Sequence, residues 1–129
     1  MSNRNTALRD ECDRLFGLLI REIHRNSCCM CGATEALHVS HITGRGKSLR
    51  IRWSPVNALL LCAKHHADLD GVNGTEARLY MLAEIMYKLP RIWDAYVALD
   101  TSPVVFTRLY MKDEKAWLKE SLAKMKEAR

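Results

Sequence analysis

Residues 28–66 read CCMCGATEALHVSHITGRGKSLRIRWSPVNALLLCAKHH, and they hold four of the five histidines or cysteines of each kind that the chain offers for chemistry. Cys28 and Cys31 form a C-x2-C pair followed by Gly32, and Cys62 and His65 form a C-x2-H pair downstream. Two such pairs can close around one tetrahedral Zn2+, the first from a knuckle turn and the second from the start of a helix. A bound ion would add folding energy to a segment with little core of its own. The competing reading makes these cysteines buried apolar fillers, but Cys28, Cys29 and Cys31 are crowded into four positions, which weighs against it. Cys29 and Cys12 fit neither pair and are read as packing residues. Between the pairs, residues 37–42 read as a short strand, 44–55 as a basic loop, 58–61 as a second strand and 62–69 as a short helix.

Outward from this segment the periodicity changes. Leu8, Cys12, Leu15, Phe16, Leu19, Ile20 and Ile23 recur at steps of three and four with Arg9, Asp10, Asp13, Arg14, Arg21 and Glu22 between them, which predicts an amphipathic helix over 6–25. After Gly71 and Gly74, a helix is expected to run to about Leu89, where Pro90 breaks it; a further helical stretch follows over 91–99. Ser102 and Pro103 read as the cap and first-turn proline of a last helix to about Lys126. The expected fold is therefore α+β and mostly helical: one domain over 1–129, with an N-terminal helix at 6–25, a zinc-stapled core at 28–70 and two or three C-terminal helices over 75–128. A chain of 129 residues suits one core. At 48% apolar and 27% charged, with three prolines and six glycines, it has the composition of a folding protein. The longest apolar run is six residues, 58–63, and the start MSNRNT lacks an apolar signal core, so neither membrane spanning nor secretion is expected. In a reducing compartment, five cysteines favour metal ligation over disulfides.

The zinc pairs leave His38, His41 and His66 unused. Each alone would be an ordinary surface or core histidine, whereas three around one metal-pinned hairpin suggest a catalytic use. With its CxxC, HVSHI, SPVNALLLC and CAKHH elements, the stretch resembles the HNH, or ββα-metal, nucleases, and their zinc-stapled phage and prophage members in particular. The likeness covers about forty residues and leaves the flanking helices unassigned. It implies a metal-dependent endonuclease that hydrolyses DNA phosphodiester bonds, nicking one strand unless two copies assemble. By the same resemblance, His41 is the general base toward water, Asn57 ties the loop to the hairpin and helps fix the His41 ring, and His66 holds one divalent cation, Mg2+ or Mn2+ with Zn2+ or Ni2+ as further options. The plainer alternative makes Asn57 a turn residue. Many members place Asp or His just before the base as a second ligand. Here that position is Ser40, and the role passes to His38, on condition of a twist or bulge, because strand alternation puts residues three apart on opposite faces. The resemblance also implies a bacterial or phage-encoded cytoplasmic protein.

No acidic residue occurs between Glu35 and Asp68, whereas Arg45, Lys47, Arg50, Arg52 and Lys64 do; this local excess equals the +5 of the whole chain. Such a run is ordinarily a solvated face, but its place between the expected base and metal ligand suits a grip on phosphates, with salt-sensitive and weakly sequence-selective binding. Arg45, Lys47, Arg50 and Arg52 are the expected DNA contacts, Arg45 nearest the scissile phosphate, and Trp53 is expected to pack beneath the loop. The rival to the nuclease is a non-catalytic zinc-stapled nucleic-acid-binding module; monomer and homodimer both stay open.

Overall fold

The structure, a computed structural model, describes residues 3–128. Residues 1, 2 and 129 of the expected single unit lie outside the described residues. Five helices surround one two-stranded sheet: α1 (Asn3–Ile23), β1 (Leu37–His41), β2 (Ala58–Cys62), α2 (Ala63–Asp70), α3 (Thr75–Lys88), α4 (Pro90–Val97) and α5 (Thr107–Glu127), with a 3-10 turn at Pro55–Asn57 before β2. The fold is α+β and mostly helical, with β1, β2 and α2 forming the small ββα unit. Among the described residues, no helix is long and apolar enough to cross a membrane.

The strand β2 organises the interior. Its residues Ala58, Leu59, Leu60 and Leu61 are all fully buried, as an uninterrupted apolar strand must be when both of its faces are covered. Alternation sends them to two different cores. Ala58 and Leu60 join Cys12, Leu15, Phe16, Leu19 and Ile20 of α1 and Met111, Leu118 and Leu122 of α5. Leu59 and Leu61 join Leu69 of α2 and Met81 and Ile85 of α3. The antiparallel register sets His38 opposite Leu61, Ser40 opposite Leu59 and His41 opposite Ala58. His41 therefore faces the α1 side, and Ser40 and His38 face α2.

The boundaries move for identifiable reasons. Helix α1 stops at Ile23, two residues before the expected end, because Arg25 and Asn26 enter the left-handed region (φ 54° and 52°) and the Asn26 N–H returns to the Arg21 carbonyl at 2.9 Å. Pro90 both ends α3 and occupies the first turn of α4, where its missing N–H costs nothing. The expected cap at Ser102 and Pro103 is not one: α5 begins at Thr107. The Arg50 guanidinium donates to the Ser102 and Pro103 carbonyls at 2.9 and 3.2 Å, and the Ser102 N–H turns back to Asp100 Oδ1. With their carbonyls engaged by a side chain, these residues form a tied loop instead of a first helical turn.

Candidate metal centre and adjoining cleft

The donors of Cys28, Cys31, Cys62 and His65 lie within 4.8 Å of one another and form a cluster able to hold a metal ion such as zinc. The first pair sits on a knuckle closed by Cys28 N–H to the Ala33 carbonyl and Gly32 N–H to the Cys28 carbonyl, both 2.8 Å. Gly32 has φ 77°, a turn that side chains avoid. A bond from Cys29 N–H to the Leu60 carbonyl at 3.0 Å fixes the knuckle to β2. The second pair comes from the end of β2 and the first turn of α2. Cys31 Sγ and Cys62 Sγ are 3.9 Å apart, and His65 Nδ1 is 3.1 and 3.6 Å from the sulfurs of Cys62 and Cys28. Metal–sulfur bonds of about 2.3 Å and metal–nitrogen bonds of about 2.0 Å put tetrahedral edges at about 3.5–3.8 Å, so the donor set is close to what zinc needs and side-chain adjustments would close it around the ion. Burial works against ionisation of Cys28, but the backbone N–H groups of Cys62, Met30 and Cys31 overcome it and bring the thiol down to about 6. Burial instead pushes Cys29 up to about 12 and Cys12 up to about 11, which keeps both as thiols. They pack, as their sequence positions suggest.

Beside this cluster a cleft of about 470 Å³ is lined by Asp13, Phe16, Gly17, Val39, His41, Gly44, Arg45, His66 and Asp70. The rings of His41 and His66 thus share one space, the first from β1 and the second from α2. His41 Nε2 lies 2.8 Å from the Arg52 carbonyl, and its ring is 5.4 Å from that of Phe16. A carbonyl only accepts, so Nε2 carries the proton and the neutral ring keeps its lone pair on Nδ1. Burial holds the His41 pKa below its usual 6.5, and Arg45 and Arg52 lower it further, against the opposing pull of the Arg52 carbonyl and Asp13. The ring is held as a neutral base.

Asn57, fully buried, ties down both ends of the intervening loop. Its Oδ1 accepts from the Thr43 N–H at 2.8 Å, and its Nδ2 donates to the Thr43 and Ile51 carbonyls at 3.1 and 3.2 Å. It therefore fixes the loop whose residue Arg52 holds the His41 ring. Arg78 adds a link from outside the hairpin, donating to the Ile42 carbonyl at 3.2 Å and to the Leu69 carbonyl, so that the exit of β1 and the end of α2 are joined through α3.

His66 has a partner on each nitrogen. Nδ1 lies 2.6 Å from Ser40 Oγ, and Nε2 lies 3.1 Å from Asp70 Oδ2. Asp70 was not among the expected site residues, although it stands four positions after His66 on one helix and so shares its face. A lone pair on Nε2 and a carboxylate oxygen at this distance need a proton or a cation between them. With a cation there, Nδ1 donates to Ser40 Oγ, whose own hydrogen is directed at the His38 carbonyl 3.3 Å away. Neighbouring oxygen or nitrogen ligands of an octahedral divalent ion stand about 3 Å apart at bond lengths of about 2.1 Å, so His66 and Asp70 fit two of its corners. Ser40 is then a support for the ligand histidine, even though a hydroxyl ligates poorly. No bulge brings His38 around to the His41 side: its ring stacks on that of His66, centroids 4.7 Å apart and 7° from parallel, and it is not among the residues lining the cleft.

The basic loop divides. Arg45 lines the cleft and is more than half exposed, and Lys47 is exposed. Arg50 is taken up by the Ser102 and Pro103 carbonyls and stands 3.8 Å from Asp100. Arg52 is only 12% exposed and is held by both oxygens of Asp13 at 2.9 and 2.7 Å. Of the four expected DNA contacts, Arg45 and Lys47 present exposed donors to solvent, whereas the donors of Arg50 and Arg52 are engaged within the chain. Trp53 packs beneath the loop, with its indole N–H donated to Asp13 at 2.8 Å. No protein-family model, curated protein or solved structure matches the chain, so its function is argued from this geometry.

Proposed function

We propose that the protein is a metal-dependent endonuclease of the HNH kind, cutting DNA phosphodiester bonds beside a structural zinc held by Cys28, Cys31, Cys62 and His65. The observation that carries this reading is the shared cleft: a neutral imidazole with its Nδ1 lone pair free of the Arg52 bond stands in the same space as the His66–Asp70 pair. His41 Nδ1 takes the proton of a water as the water oxygen bonds to phosphorus and the bond from phosphorus to the 3′ oxygen breaks. Asn57 and the Arg52 carbonyl hold that ring in place through the loop. Arg45 meets a non-bridging phosphate oxygen. His66 and Asp70 would hold a divalent cation such as Mg2+ or Mn2+, which when bound would neutralise charge developing on the phosphate and the departing 3′ oxygen.

The second reading, a zinc-stapled nucleic-acid-binding module without catalysis, draws on one specific observation. Among the described residues, the zinc cluster is the one group of three or more His, Cys, Asp or Glu donors able to hold a metal, so the cleft offers fewer ligands. Incubating supercoiled plasmid with wild type and His41→Ala in Mg2+, in Mn2+ and with chelator separates the two. Nicked or linear product is expected from wild type with added metal only, falling about a hundredfold or more in the variant. Equal cleavage by His41→Ala overturns the mechanism, and plasmid binding without cleavage in either metal supports the module.

A further inference from the structure

We propose that Asp13, on the helix that precedes the hairpin, is the positioning residue for His41, acting through Arg52; this rests on the nuclease reading for its catalytic consequence. The connection is short and continuous. Asp13 Oδ1 accepts from Arg52 Nε at 2.9 Å and from the Trp53 indole at 2.8 Å, while Oδ2 accepts from Arg52 Nη2 at 2.7 Å. The carbonyl of that same Arg52 accepts His41 Nε2–H at 2.8 Å. A two-point carboxylate–guanidinium pair fixes direction as well as distance, and the indole adds a third bond from the next residue. The backbone between these side chains therefore has little freedom to rotate its carbonyl away from the ring. Phe16, one helical turn after Asp13, closes the other side of the imidazole with its ring at 5.4 Å.

Asp13 also stands 3.6 Å from Arg45 Nη1, so one carboxylate sets both the base and the cation that lines the cleft. A carboxylate that served stability alone would have no need to reach both Arg45 and the residue whose carbonyl holds the base. The arrangement makes α1 part of the site, although the hairpin and α2 hold the base and the cation ligands. A lost anchor should let the ring rotate and exchange its proton between nitrogens, lowering the fraction of molecules with Nδ1 ready to accept.

The test uses the full chain with 15N-labelled histidine, comparing wild type, Asp13→Asn and Arg52→Lys. In wild type, His41 is expected in one neutral tautomer with hydrogen on Nε2. Both variants are expected to keep their helical content and about one zinc per chain, while the His41 nitrogens shift to averaged values and plasmid nicking falls about tenfold to a hundredfold in kcat with KM little changed. Arg52→Lys keeps a cation without the two-point pair, so it tests the link if Asp13→Asn fails to fold. A His41 signal that stays in the Nε2–H tautomer in a folded variant overturns the proposal, as does a loss confined to KM. If wild type shows the fixed tautomer and its loss on substitution but never nicks DNA, the nuclease reading fails and the positioning link stands.

Discussion

Helix α2 contributes to two sites through adjacent residues, His65 to the Cys/His cluster and His66 to the cleft, and the two are completed to different degrees. The cluster is assembled by protein alone: four donors within 4.8 Å, one of them buried and held by backbone N–H groups, on a knuckle bonded to β2. The cleft supplies two donors 3.1 Å apart and then about 470 Å³ of space. Closed donor sets suit structural ions, and open ones leave coordination positions for water and substrate. The contrast would let one short helix serve both of the proposed jobs. Adjacent residues project about 100° apart around it, so the imidazoles diverge into separate environments without interfering.

Removing a ligand breaks the closed side of this comparison and is expected to have the largest effect. Cys31→Ser should lose the ion and lower Tm by more than about 10 °C, because the knuckle has few other anchors; metal analysis and a thermal scan check this. A zinc-free protein of unchanged Tm would remove the structural role of the cluster. The next effect belongs to Asn57→Ala, which strands the Thr43 N–H and the Thr43 and Ile51 carbonyls in a buried site. A cost of about 3 kcal/mol is expected in urea unfolding, with the ion retained. That result would separate the loop clip from the metal staple.

The closed site was legible because its ligands come as two short-range pairs, and spacing within a pair survives any fold. β2 was legible too, since a short apolar run between a proline turn and a ligand pair fits a strand better than a helix, and both its faces are covered. The open site was harder. Asp70 carried a readable signal, four residues beyond His66 on one helix face, whereas Ser40 before the expected base suggested His38 on the neighbouring strand. Asp13 carried none: nothing in a helical charge pattern tells that one carboxylate meets a loop nearly forty residues away. The intramolecular ties of Arg50 and Arg52 were hidden for the same reason. Their partners at Ser102, Pro103 and Asp13 are distant in sequence, and an isolated basic run looks solvated whether or not it is tied down. The start of α5 moved because one of those ties reached it.

Acidification sharpens the comparison more gently. His41 titrates below 6.5 in the folded protein, burial being the main cause. Nicking at saturating cation should therefore decline along an acid limb centred below 6.5. The same shift bears on stability. Between the folded value and 6.5 the unfolded chain binds more protons, so stability is full above that window and falls as pH drops through it. His41→Gln should flatten this part of the profile in urea titrations. An acid limb centred above 6.5 would remove His41 as the base.

The smallest effects separate cations that face outward from those that face in. Arg45, at the cleft, and Lys47, exposed on the loop, are positioned for phosphates, so Arg45→Gln and Lys47→Gln should each weaken DNA binding at low salt and reduce the slope of log affinity against log salt by about one. Neither should move Tm, since Arg45 is more than half exposed and its 3.6 Å contact with Asp13 is screened by solvent. Arg50→Gln should do the reverse, leaving the salt slope unchanged while freeing the 102–103 carbonyls and lowering Tm by a few degrees. An identical salt-slope change for Arg50 and Arg45 would mean that the 100–103 loop releases Arg50 to DNA. The basic run would then act as the single patch that its sequence suggests, and the division between inward and outward cations would not survive binding.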